Sequence, residues 1–159
     1  MQVRDSMGRV ALGRDNNRSI LYDGPLAVLT SRFSASASEI FAGALQNYGR
    51  AVVIGDSSTY GKGTVQSIYE MQNYMPRMSS DYGKPGAAKL TIQKYYLPNG
   101  ASTQKRGVVP DIALPSIDDF LEIGEAREPN ALVWDEINST PFEGKPLNQA
   151  FVAPLLSAS

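Results

Sequence analysis

Two short apolar runs, Leu26 to Thr30 and Arg50 to Ile54, flank a segment, Ala37 to Tyr48, whose apolar residues recur with helical spacing. Strand, helix and strand in that order is the pattern of a parallel pair joined by a crossover, and few arrangements accept it. Ser36-x-x-Glu39 fits a capping box, which puts Ser36 at the helix N-cap and Ala37 and Ser38 in the first turn. Gly49 supplies the stop. Ile40, Phe41, Ala44, Leu45 and Tyr48 share one apolar face and are expected in the core. The fold class read from these residues is α/β, a mixed sheet with the crossover helix following the turn at Ser36.

Parallel strands joined by a crossover place both carboxyl ends at one edge of the sheet, where open α/β sheets keep their sites. Ser36 follows the first strand and Lys62 follows the second, in Tyr60-Gly61-Lys62-Gly63-Thr64. A serine hydroxyl is a poor nucleophile until a base takes its proton, and a neutral lysine amine is such a base. Gly61 and Gly63 allow close backbone approach, and Tyr60 and Val65 supply apolar cover. The same residues also fit a plain helix cap and a surface lysine in a glycine loop. A phosphate loop is excluded, because Gly55 and Gly61 stand one residue too far apart and Gly63 replaces the metal-binding hydroxyl. Thr64 to Tyr69 also alternates like a strand where a helix is required.

Composition narrows the chemistry further. The chain has 159 residues, one domain's worth, with no cysteine and no histidine. It therefore holds no disulfide, no thiol nucleophile and no Ser-His-Asp triad of its own, which favours lysine as the base. A formal net charge of −1 argues against nucleic acid or an anionic membrane as partner. No signal peptide or membrane span is visible in the sequence. No metal or cofactor is expected.

The remaining elements follow from local pattern. Val3 and Val10 to Leu12 point to two short strands around Ser6-Met7-Gly8. Met71 to Ala87 is a long polar insertion, beyond ordinary connection length. Ala88 to Tyr96 alternates as a strand, and Leu97-Pro98-Asn99-Gly100 is a turn expected to lead into a hairpin partner. Val108 to Leu114 contains Pro110 and is expected at a sheet edge. Ile117 to Ile123 reads as a short helix ended by Gly124. Leu132, Val133, Trp134 and Ile137 are expected to dock on the core, and residues 138–159 to form a linker.

Arg32 to Gly55, Tyr60 to Gln66, Lys89 to Ser102 and Gly107 to Ile112, in that order, closely resemble the carboxy-terminal processing (tail-specific) serine peptidases. Asn130 to Asp135 extends the likeness to the longer periplasmic members, so that it covers residues 2–137. The resemblance implies a ClpP/crotonase-like core, with residues 1–137 as the C-terminal part of the catalytic domain. It assigns the nucleophile to Ser36, the general base to Lys62, a lysine-orienting role to Gln66 and an oxyanion donor to the Ala37 N–H. Upstream of Met1 it implies a peptide-binding PDZ module and a glycine-rich turn lending a second oxyanion donor, so the chain reads as a piece of a longer protein. The implied function is serine endopeptidase action on proteins with unstructured C-terminal tails, in the periplasm or cell envelope of a bacterium. A homodimer through an exposed sheet edge is one expected form. The alternative is a catalytically incomplete or purely peptide-binding module of the same fold. Two departures stand out: the loop Asp56 to Tyr60 is one residue longer than usual, and Asn47 occupies a position where some members carry an aspartate.

Overall fold

The computed structural model describes residues 1–17, 19–74, 85–147 and 149–157. Met75, Pro76 and Met78 of the long insertion lie outside the described residues. The architecture is α/β, and the strands divide between two sheets instead of sharing one mixed sheet. β1 (Gln2–Asp5), β2 (Val10–Leu12), β5 (Thr64–Glu70) and β6 (Ala87–Tyr96) form an antiparallel sheet in the order β2-β1-β6-β5. β3 (Ala27–Thr30), β4 (Val52–Gly55) and β7 (Ile112–Ala113) form a parallel sheet in the order β3-β4-β7. The crossover between β3 and β4 is helix α1, Ala37–Asn47. Ala27 is in register with Val52 and Thr30 with Gly55, so the carboxyl ends of β3 and β4 are level.

β7 takes the expected edge position. Pro110 has no N–H to give the ladder, and the Asp111 side chain compensates: its Oδ2 accepts the Val53 N–H at 2.8 Å while its own N–H donates to Val53 O at 2.8 Å. Gln46 of α1 donates to Asp111 Oδ1 at 3.0 Å, which ties the helix to the same edge.

Four expectations need correction. The face of α1 turned inward carries Glu39, Ala42, Gly43 and Asn47, whereas Phe41 is 58% and Tyr48 45% exposed. Apolar periodicity misplaced that face because a buried polar residue, Glu39, sets the helix rotation. The turn at Leu97 to Gly100 forms, with Gly100 N–H donating to Leu97 O at 2.9 Å, but it leads only to an isolated bridge, Ala101 with Glu136. β6 already has β1 and β5 as partners, so no third strand can join it. Ile117–Phe120 is a 3-10 turn, shorter than the expected helix. Leu132 and Val133 are exposed; Trp134 and Ile137, both half-buried, dock as expected, Trp134 donating from Nε1 to Ser102 O at 2.8 Å under the Arg106 guanidinium and the Ile137 N–H to Gly100 O at 2.9 Å.

The C-terminal stretch packs as well. α2 (Gln149–Ser157) brings Val152 into an apolar cluster with Val52 and Ile112, flanked by Ile54 and Leu147. Tyr48 meets Phe142 edge-on at 5.1 Å. Much of the stretch read as a linker is thus attached to the parallel sheet.

Asp135 fastens the segment after β7 to the antiparallel sheet. Its carboxylate accepts from Arg4 and Lys94 and from the Tyr96 hydroxyl at 3.2 Å. Burial pushes its pKa up, but the Lys94 and Arg4 bonds outweigh burial and hold it below the ordinary value of 3.8. Burial, followed by the nearby Asp135 charge, pushes the Tyr96 hydroxyl up to about 12. Because folding depresses the Asp135 pKa, its contribution is full above pH 3.8 and fades as pH falls through the lower folded value. Asp135→Asn is expected to lose about 1–2 kcal/mol at neutral pH. The gap from wild type in urea denaturation should narrow below pH 4; a gap independent of pH contradicts this assignment.

Candidate active site

The chain leaves β3 and reverses through Ala35-Ser36-Ala37-Ser38, closed by Ser38 N–H donating to Ala35 O at 3.3 Å. Ser36 has φ 57° and ψ −109°, close to the first central position of a type II′ turn, which favours glycine. A serine there is strained by about 1–3 kcal/mol, and strain of this kind collects at functional sites when the surroundings enforce it. The surroundings here can be named.

Glu39 is fully buried in the first turn of α1. Its Oε2 accepts the Ser36 N–H at 2.7 Å, the carboxylate half of the capping box. The Glu39 N–H goes to Ser36 O at 3.0 Å, and the serine hydroxyl makes no cap hydrogen bond. The same Oε2 accepts the Lys62 N–H at 2.9 Å. Oε1 accepts the Gly61 N–H at 2.7 Å and the Thr59 hydroxyl at 2.6 Å. Four donors face two oxygens, the complement of a carboxylate. Burial nevertheless is the largest influence and raises the Glu39 pKa, with the bonds from Thr59, Gly61, Ser36 and Lys62 pulling it back.

A second buried side chain clamps the same two residues from the carbonyl side. The Tyr95 hydroxyl lies within hydrogen-bond reach of Ser36 O, at 3.1 Å, and of Lys62 O. Thr103 Oγ1 donates to Tyr95 Oη at 2.9 Å. Burial raises the Tyr95 pKa, so this hydroxyl stays protonated as a donor. Ser36 and Lys62 are therefore both held at N–H by one glutamate, while the single Tyr95 hydroxyl proton is shared between their two carbonyls. One oxygen atom bonds both amide nitrogens, which limits their separation to the sum of two hydrogen bonds.

The lysine loop also needs its glycines. Gly61 has φ 91°, and a Cβ there meets Lys105 C at 3.0 Å; a Cβ on Gly63 meets Ser102 Oγ at 2.7 Å. Gln104, fully buried, accepts the Gly63 N–H at 2.8 Å and donates to Glu125 at 3.0 Å. Lys62 Nζ donates to Gln66 Oε1 at 3.0 Å, four residues further on in β5. Ala37 is the first helical residue, where an N–H has no intrahelical acceptor. A cleft of about 570 Å³ adjoins these groups, lined among others by Ala35, Lys62, Gln66, Glu125, Glu128 and Leu132.

Thus Ser36, Ala37, Lys62 and Gln66 come together, as their positions after parallel strands require. Asn47 does not join them. It lies at the far end of α1, some ten residues or about 15 Å along the axis, where its Oδ1 accepts the Asn99 N–H at 3.1 Å. That bond asks only for an acceptor, which an amide supplies as well as an acid. Sequence reasoning missed Thr59, Tyr95, Thr103 and Gln104, and saw Glu39 only as a cap. The polar run Ser102-Thr103-Gln104 between two glycines was the available signal.

The family model of peptidase family S41 matches residues 2–114. A tail-specific protease of Haemophilus influenzae is 45% identical over 142 residues, covering 89% of this chain and 20% of its own length. The carboxy-terminal processing protease CtpB of Bacillus subtilis is 43% identical over 96 residues, covering 60% of this chain and 18% of its own length. The chain thus spans about a fifth of the length of these relatives. Among solved structures, the photosystem II D1 C-terminal processing protease is similar with a TM-score of 0.54 and 32% identity, over 71% of this chain and 26% of that one.

Glu39→Gln turns an NH2 group toward two buried donors and is expected to cost about 1–3 kcal/mol, and Tyr95→Phe about 1 kcal/mol. Urea denaturation reads both. Unchanged midpoints contradict the double clamp.

Proposed function

The chain belongs to peptidase family S41, and on that premise we propose that it carries the nucleophile and base of a serine peptidase of Ser-Lys type. The observation that carries the proposal is the shared Glu39 Oε2, which bonds the Ser36 and Lys62 amides at 2.7 and 2.9 Å. Ser36 attacks the peptide carbonyl. The Lys62 amine takes the hydroxyl proton and returns it to the leaving nitrogen; water then repeats the sequence on the acyl-enzyme. Gln66 holds the lysine: the carboxamide oxygen, 3.0 Å from Nζ, fixes the amine's direction. The Ala37 N–H at the start of α1 donates to the oxyanion, with a second donor expected from upstream chain.

The substrates are proteins with unstructured C-terminal tails, since an extended chain can enter a cleft of this size and a folded one cannot. The core is of the ClpP/crotonase-like type, residues 1–137 are the C-terminal part of a catalytic domain, an upstream PDZ module presents the tail, and the protein acts on the periplasmic side of a bacterial envelope. These assignments draw on the likeness in motif order and on the names of the relatives.

Ser36→Ala and Lys62→Ala should each lower cleavage of an unstructured peptide by about 10³-fold or more, and the double variant should lose little beyond either. Lys62→Arg should fail to the same degree, because a guanidinium stays protonated and cannot act as a base. Cleavage is read as Ser36-dependent product by mass spectrometry. Substantial activity in Lys62→Arg contradicts the mechanism.

A further inference from the structure

The cleft beside Lys62 does not end where the catalytic groups do. A second cavity of about 530 Å³ lies over β6 and the β1–β2 turn, lined by Arg4, Gly8, Ile92 and Gln93. Thr91 and Leu132 line both cavities, so these two side chains form the sill across which they adjoin. β6 lies between β5 and β1. At ~4.8 Å per strand the second cavity is reached within about 5–10 Å of the first, a span of roughly two or three extended residues.

The charges around the second cavity are already matched. Arg4 and Lys94 bond Asp135, and Arg9 holds Asp5 through Nε at 2.7 Å. No unpaired charge is offered to a ligand; beside the neutral Ser6, Thr91 and Gln93 the apolar lining is half-buried Ile92 and Leu132, 45% exposed. Leu132 lines both cavities, so an apolar side chain entering the second one from the peptide cleft would meet it.

We infer that this second cavity is a remote subsite for the substrate chain, seating an apolar side chain two or three residues beyond those in the first cleft. The inference rests on the peptidase reading in taking a peptide as the ligand. It adds a specificity: tails are selected for an apolar residue at a fixed distance from the cut, and short peptides are poor ligands.

The test uses labelled unstructured peptides in two lengths, one filling the first cleft and one three residues longer with leucine at the added positions. Binding to the Ser36→Ala chain is read by fluorescence anisotropy. The longer peptide should bind about fivefold to tenfold tighter, the factor that half-burying a leucine supplies. Aspartate in place of the added leucines should remove the gain. Leu132→Ser should bring the ratio between the two lengths toward one, and Leu132→Met should keep it. Equal affinity for both lengths, a gain that survives aspartate, or a gain that survives Leu132→Ser overturns the inference. Because binding is measured without turnover, an absence of serine-dependent cleavage would sink the peptidase reading and leave the length result to be judged separately.

Discussion

The Glu39 carboxylate is the constraint on which the rest depends. It is buried without a cation beside it among its bonded partners, and its four donors come from two separate loops: the turn at Ser36, and the segment Thr59 to Lys62. A buried carboxylate is tolerated only when hydrogen bonds replace water, and leaving any of these donors unpaired is costly. The two loops therefore cannot drift apart without exposing both. Tyr95 adds the matching clamp on the carbonyl side. A strained serine is kept in its turn by the same bonds that hold the lysine loop against it.

The larger architecture serves that junction. The crossover β3-α1-β4 brings the ends of two parallel strands level, and Ser36 and Lys62 leave from that edge. β5 of the antiparallel sheet then starts at Thr64, directly after the lysine loop, and carries Gln66 to Lys62 Nζ. β6 contributes Tyr95 near its end. Each sheet thus supplies one side of the site. Thr59 ties α1 to the segment before β7, donating to Glu39 and accepting the Val108 N–H at 2.7 Å.

Much of this was legible in the sequence, for identifiable reasons. Strong apolar runs and a capping box fixed the strand, helix and strand with their order, and that order alone brings Ser36 and Lys62 to one edge. The rotation of α1 was not legible, because an apolar pattern assumes that the buried face is apolar. Glu39 breaks the assumption: hydrogen bonds rather than hydrophobicity bury it. Tyr95, Thr103 and Gln104 were hidden for another reason. Their partners lie some thirty to sixty residues away, and alternation in β6 says which face a residue takes, not what it meets there. The C-terminal stretch read as a linker because proline and small polar residues dominate it, while two apolar residues, Leu147 and Val152, were enough to attach it.

Amide hydrogen exchange at Ser36 and Lys62, resolved by NMR, tests the central claim most directly. If one buried carboxylate oxygen holds both amides, neither can open alone, and the two should be protected together with similar opening free energies. A Lys62 amide that exchanges like an open loop while Ser36 stays protected would contradict the shared clamp.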